Sequence, residues 1–454
     1  MQKIYTHSQK RTALAAAAFA SFITPFMGSS LAVALPAISS EFKSDIVLSS
    51  WTMAAFILGA AMFLLPLGKL AEIYGRKRIF VSGCFLSSLI SVFCALTPNM
   101  PLFLLFRFMH GAASACIFST GAAMLSEIYP PKERGKAFGV NAASIYLGGS
   151  AGPFIGGLLT HYITWRSIFA ISAFFALIVA FVFPRIIKDE WKTAENEKLD
   201  FASSALYSFS LLFFICGLSY ITLKFGVISF IAGSFGLALF VLSQKKREYS
   251  LLPIYLFKKN KSFFMGNIAA LINYSATAAT ALLMSYYLQY IKGLDADSSG
   301  LILMSQPICM AVLSPLMGRL SDRIEPRLLA SAGMIVISAA LIYFSFLKES
   351  APLFSIMITL IVMGLGFALF SSPNTNAVMN SVENRYFGAA NVSLSLMRLT
   401  GQMFSIAIAN IVFALIIGHI QVTAEVHILL MQSLRYCFII FAVLCLFGAF
   451  ASKK

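Results

Sequence analysis

Apolar runs of about the length needed to cross a bilayer, parted by short polar turns, recur along the whole chain. The pattern predicts fourteen helices. Six form a first block, over about 12–38, 47–69, 79–97, 102–126, 137–161 and 166–187. Two make a hairpin, about 201–222 and 226–243. Six more follow, about 263–291, 298–318, 328–347, 352–373, 387–417 and 431–451. The predicted class is an all-α integral membrane protein in three parts: a six-helix bundle at 1–187, a linker with an inserted transmembrane hairpin at 188–250, and a second six-helix bundle at 251–454.

The fifth run departs from the others. It reads GVNAASIYLGGSAGPFIGG, with Gly139, Gly148, Gly152, Pro153, Gly156 and Gly157 in one stretch. Each interior Gly costs a helix roughly 1 kcal/mol and a Pro about 3. In lipid such residues are tolerated because neighbours re-satisfy the backbone groups that Pro frees, and they let a second backbone come close. A glycine-rich packing seam is the plain expectation.

Composition agrees with the pattern. Hydrophobic residues are 59% and charged residues 11%, where a soluble domain carries about 25% charged. A net charge of +16 would suggest nucleic acid in a soluble chain, but its distribution excludes that partner. With the N-terminus inside, most of the 34 Lys and Arg fall in cytoplasmic segments, and only Lys43, Arg166, Lys224, Lys292 and Lys348 fall outside, as the positive-inside rule asks. The rule also favours two crossings between 201 and 243, and puts both termini in the cytoplasm of a multi-pass plasma-membrane protein. The 7 cysteines stand singly in apolar runs, as small buried hydrophobes. The run from Thr12 is too long for a signal peptide's apolar core and reads as an uncleaved first helix.

One loop occurs twice. Gly68-Lys-Leu-Ala-Glu72-Ile-Tyr-Gly-Arg76-Lys-Arg78 follows the second helix, and Gly318-Arg-Leu-Ser-Asp322-Arg323-Ile-Glu-Pro-Arg327 the equivalent helix of the second block. Each alone reads as a basic turn whose carboxylate caps the next helix. Two copies in register imply pseudo-twofold halves around a central cavity.

These residues carry a resemblance. The first loop resembles the major facilitator superfamily signature G-x-L-[AS]-D-x-x-G-R-[KR]-[KR], with Glu72 in place of Asp. The spacing of Gly139, Gly148, Gly152, Pro153, Gly156 and Gly157 resembles the antiporter motif of that superfamily's exporters. The inserted hairpin is similar to the fourteen-helix, drug:proton antiporter-like group. The resemblance implies two six-helix bundles plus the hairpin, and efflux of drugs or other small molecules by alternating access. It also implies a conformational gate built from Gly68, Glu72, Arg76, Arg78, Asp322 and Arg323.

Chemistry is sparse. Arg107-Phe-Met-His110-Gly is similar to the family's R-x-x-Q-G with His for Gln. An arginine inside a membrane helix normally turns to a cavity or a partner, and Arg107 and His110 share a helix face. Snorkelling by Arg107 beside a satisfied core His is the alternative. Arg398 lies about twelve residues into its helix, too deep to snorkel easily, whereas Arg435 is near an end. Tyr146, Asn267, Asn273, Tyr274, Tyr286 and Gln306 are further candidates to line a substrate and coupling cavity, or to bond between helices. Ser371-Ser-Pro-Asn374-Thr-Asn376 reads as a helix terminator, and Asp200 as the cap of the hairpin's first helix.

The group's first-helix pattern L-D-x-T-x-V-N-x-A-L-P is only half kept. Ala34-Leu35-Pro36 matches, but Met27 holds the Asp position and Ala32 the Asn position. No acid falls near a predicted midplane, which leaves His110 as the titratable group mid-helix. Two arginines without an acid favour neutral or anionic substrates. Proton antiport and uncoupled uniport or exchange both stay open, as does a membrane sensor on the same fold. No spacing typical of an enzyme or a metal site is present; no cofactor is expected. The expected partners are a small-molecule substrate, protons if coupled, and the lipid bilayer, with the chain working as a monomer.

Overall fold

The computed structural model describes residues 5–192, 194, 197–245, 251–252, 254–321, 323–383, 386–418, 420–422 and 426–453. The first block holds α1 (His7–Phe42), α2 (Ile46–Tyr74), α3 (Arg76–Leu96), α4 (Met100–Ile128), α5 (Pro131–Tyr162) and α6 (Arg166–Ile186). The hairpin is α7 (Phe201–Ser219) and α8 (Lys224–Gln244), followed by a short α9 (Ile254–Lys259). The second block holds α10 (Lys261–Thr277), α11 (Thr280–Tyr286), a π-helical turn at Tyr287–Ile291, α12 (Ala296–Leu303) and α13 (Ser305–Leu320). It ends with α14 (Pro326–Ser345), α15 (Leu353–Asn380), α16 (Phe387–Ile416) and α17 (His427–Lys453). Among the described residues, 14 helical spans are long and apolar enough to cross a membrane. An even number of crossings leaves the start of α1 and the end of α17 on one face, which also carries Lys69, Arg76 and Arg319. It is termed the basic face, and the opposite one the far face.

Short polar residues start the helices where a side-chain oxygen can take an orphan amide. Asp45 caps α2 at Leu48 N (2.7 Å), Asn99 caps α4, and Asn260 caps α10. Asp200 caps α7 at Ser203 N, 3.1 Å away, as expected.

Three expectations need correction. The ninth predicted helix is not continuous: the Ala279 amide leaves the helical ladder for Ser405 Oγ on α16, 2.9 Å away. The tenth is interrupted at Met304, between α12 and α13, where Pro307 donates nothing and its ring crowds the carbonyl four residues back. The segment from Ser371 to Asn376 does not end its helix. α15 runs through Pro373 because Asn374 Nδ2 donates to Gly266 O on α10 (3.1 Å) and Asn376 Nδ2 to Ser321 Oγ (2.8 Å). Neighbouring helices thus anchor the turn that proline weakens.

α5 lies along α1. A Cβ at Gly148 would strike the carbonyl of Phe22, and one at Gly156 would lie 2.6 Å from Ser30 Cα. Ser30 Oγ donates to Gly152 O at 2.8 Å. The hairpin rests on the first bundle, where Tyr207 Oη donates to Ala61 O and Ser208 Oγ to Met62 O, both at 2.8 Å on α2. Phe214 of α7 also meets Phe404 of α16, ring centres 5.7 Å apart.

Candidate transport site and gate

The contacts that join the two six-helix blocks lie in the far half of the molecule. Ser50 Oγ on α2 donates to Asn410 Oδ1 on α16. Gln289 Nε2 donates to Val33 O on α1 (2.9 Å), and Ile46 N to Ile420 O (3.3 Å). A Cβ on Gly157 of α5 would come within 2.5 Å of Ala296 O on α12, and one on Gly300 would strike Pro153 O. Gly28, midway along α1, and Gly139, near the basic end of α5, have nothing within 4 Å of an added Cβ. The contacts of Ser50, Gln289, Ile46, Gly157 and Gly300 between the blocks thus gather at the far face, and open space flanks Gly28 and Gly139.

Arg107 and His110 pair, but inside the wall of the first bundle, each 2% exposed. Arg107 Nε donates to Thr52 O (3.0 Å) and Nη1 to His110 Nδ1 (3.2 Å). The guanidinium lies 4.6 Å from the Phe56 ring centre and 5.7 Å from that of Phe169. A carbonyl, an imidazole and two ring faces thus stand in for water around a buried cation. Since Nδ1 accepts, Nε2 carries the ring proton and faces Ser87 Oγ at 2.9 Å and Ser91 Oγ at 3.3 Å. The snorkelling alternative does not describe this arginine.

A second cluster sits in the other bundle. Part-exposed Arg398 on α16 donates from Nη2 to Thr375 Oγ1 on α15 (2.6 Å), and its guanidinium is 5.8 Å from the Tyr274 ring centre on α10. Its Nε is buried with no protein partner. Tyr274 meets Phe367 edge-on at 5.5 Å. Asn273, on the same helix, is fully buried with neither side-chain polar atom partnered. Tyr286 is buried too, whereas Tyr146 on α5 and Gln306 on α13 are part-exposed. The acids inside the described helices, Glu41, Glu72, Glu127, Glu133 and Asp297, all lie within a turn of a helix end.

The gate loops are not brought together. Gly68 is 3.5 Å, by an added Cβ, from Ser119 within its own bundle. Glu72 takes Lys69 Nζ at 3.2 Å, and Arg76 Nη1 reaches Glu127 Oε1 at 2.8 Å. Arg78 and Arg323 are exposed, and Asp322 lies outside the described residues. The residues that hold the first loop come instead from the segment after α6. Glu190 accepts the amides of Lys77 (2.8 Å) and Arg78 (3.1 Å), capping α3 from a distance. Arg76 N donates to Trp191 O (2.9 Å), Ala194 N to Glu72 O (3.1 Å), and Glu197 pairs with Lys69. Only the run of acids between the basic residues of 188–200 could have hinted at this strap.

Similarity to known proteins matches this architecture. The family profile described as Major Facilitator Superfamily matches residues 17–265 and 266–452. The riboflavin transporter RibZ of Clostridioides difficile is 27% identical over 384 residues, 83% of this chain and 82% of that one. The multidrug resistance protein Stp of Mycobacterium tuberculosis is 28% identical over 410 residues, 87% of this chain and 74% of its own length. A crystal structure of a bacterial homolog of the human lysosomal transporter Spinster, inward-facing and unoccupied, superposes with a TM-score of 0.71 at 15% identity, covering 99% and 97% of the two chains. That likeness is one of fold. The chain belongs to the major facilitator superfamily, and it is a multi-pass membrane transporter of that family.

Proposed function

We propose that this transporter exports small organic molecules across the plasma membrane by alternating access, with the basic face and both termini in the cytoplasm. The observation that carries this reading is the far-face seam: the halves touch there through the glycines of α5 and α12 and through the Ser50–Asn410 and Gln289–Val33 hydrogen bonds. In that orientation a closed far face corresponds to an inward-facing state, loaded from the cytoplasm. Rocking about the α1–α5 and α5–α12 contacts would open the far side. The halves divide at 1–187 and 251–454, and the motif loops act as the gate when the basic face closes.

The substrate surface we favour is Arg398 with Tyr274, Gln306, Tyr146 and Asn273. A guanidinium with an unpartnered Nε beside an aromatic face suits neutral or anionic, ring-bearing compounds. The transport of riboflavin by the relative RibZ is in keeping with this class. His110 and Arg107 are the proton-coupling candidates. Their enclosure and the lack of a mid-span acid favour a second reading, exchange or uniport without proton flux.

Purified protein in proteoliposomes, given a panel of cationic, neutral and anionic compounds that includes riboflavin, separates these. Substrate-driven proton movement that disappears in His110→Gln supports antiport. Transport with no proton flux, unchanged by His110→Gln, leaves uncoupled exchange. Absence of transport for every compound, with the protein folded, favours a sensor and removes the exporter reading.

A further inference from the structure

We propose that His161, Asp295 and Asp297 form a binding site for a divalent transition-metal ion across the seam between the two halves at the far face. One imidazole nitrogen and one oxygen from each carboxylate lie within 4.8 Å of one another. His161 is in the last turn of α5, in the first bundle, while the aspartates open α12 in the second.

Two further observations single out these acids. Asp295 occupies the N-cap position of α12, where an aspartate normally bonds the exposed amides, yet its side chain makes no capping bond. Asp297 Oδ1 is buried with no hydrogen-bond partner, and His161 Nδ1 lies 3.8 Å from it. A buried carboxylate oxygen left unpaired is costly. A metal ion would fill that place.

The donor set suits zinc, copper or nickel better than calcium or magnesium, because imidazole with carboxylate is typical of the former. Ligands on one zinc sit about 2.0–2.2 Å from the ion, so donors must draw together by about 1 Å. His161 and Asp295 are exposed side chains with room to do so. The fourth position is left to water.

A Cβ on Gly157 would lie 2.5 Å from Ala296 O and 2.9 Å from Asp297 Cα, a closeness that belongs to the closed far face, so the three donors gather only in that state. A ligand that binds one state alone shifts the equilibrium toward it. Metal arriving from the far side would therefore hold the transporter open toward the basic face and slow its cycle.

The test is thermal unfolding of the intact, purified protein with ZnCl2, together with amide hydrogen exchange. Zinc at micromolar concentration should raise Tm and protect the amides of 157–162 and 295–299. His161→Ala and Asp297→Asn should each weaken the apparent affinity at least tenfold, while the double variant His7→Ala/His427→Ala keeps it. No zinc-dependent shift, or an equal shift in His161→Ala, would overturn the proposal. His161→Gln serves as the second variant should the alanine fail to fold. Neither readout uses a transported compound, so the outcome is independent of the export reading.

Discussion

The Ser50 hydroxyl of α2 donates to the Asn410 side chain of α16, joining two helices that belong to opposite halves of the molecule. Ser50 also reaches Val47 O at 2.7 Å, so it keeps a partner when the cross-bond is lost. Asn410→Leu should therefore leave the fold intact and weaken far-face closure by about 1 kcal/mol, a roughly fivefold shift toward the other state. Distance measurements between spin labels on the far ends of α2 and α16 would show the wider population growing.

Glycines of α5 divide into two kinds. Gly148→Val drives a side chain into the Phe22 carbonyl and should cost about 1–3 kcal/mol as overpacking. Transport should fall with it. Gly139→Ala faces open space and should be neutral or stabilise by up to about 1 kcal/mol through helix propensity. Thermal unfolding of the two variants in parallel checks the contrast.

Arg107 and Arg398 should fail differently. Arg107→Ala leaves His110 Nδ1 without its donor in the bundle wall, at about 1–3 kcal/mol for a buried polar group left unpaired, and empties the space between Phe56 and Phe169, so Tm drops. Arg398→Ala touches a part-exposed cluster. It should leave Tm nearly unchanged and weaken the apparent affinity for anionic substrates about tenfold, worth about 1.4 kcal/mol. Paired unfolding and uptake assays distinguish the two patterns.

Glu190→Ala removes the acceptor for two amides at the start of α3. A lost charged cap costs about 1 kcal/mol. Faster hydrogen exchange at Lys77 and Arg78, together with quicker protease cutting within 187–199, is the expected result.

Fourteen spans were legible in the sequence because bilayer-length hydropathy is written residue by residue. The glycine seam was equally plain, since close approach restricts side-chain size at each position. Pairing across distance was not legible. Glu190, Glu127 and Glu197 look like ordinary loop acids until the chain folds them onto Lys77, Arg76 and Lys69. Proline misled at 373, because whether a helix survives it depends on Asn374 and Asn376 finding α10 and Ser321. The face of α4 bearing Arg107 was also undetermined, since both bundle wall and cleft offer an arginine polar company.

The hairpin breaks the symmetry that the repeated loop suggests. α7 is hydrogen-bonded to α2 through Tyr207 and Ser208, and it packs on α16, where Phe214 meets Phe404. One flank of the molecule carries an added helix pair, hydrogen-bonded to one half and packed on the other, while the α5–α13 flank carries none. The two flanks thus present unlike borders to the surrounding lipid. A bilayer-dissolved compound approaching sideways meets a shutter on one and bare helices on the other.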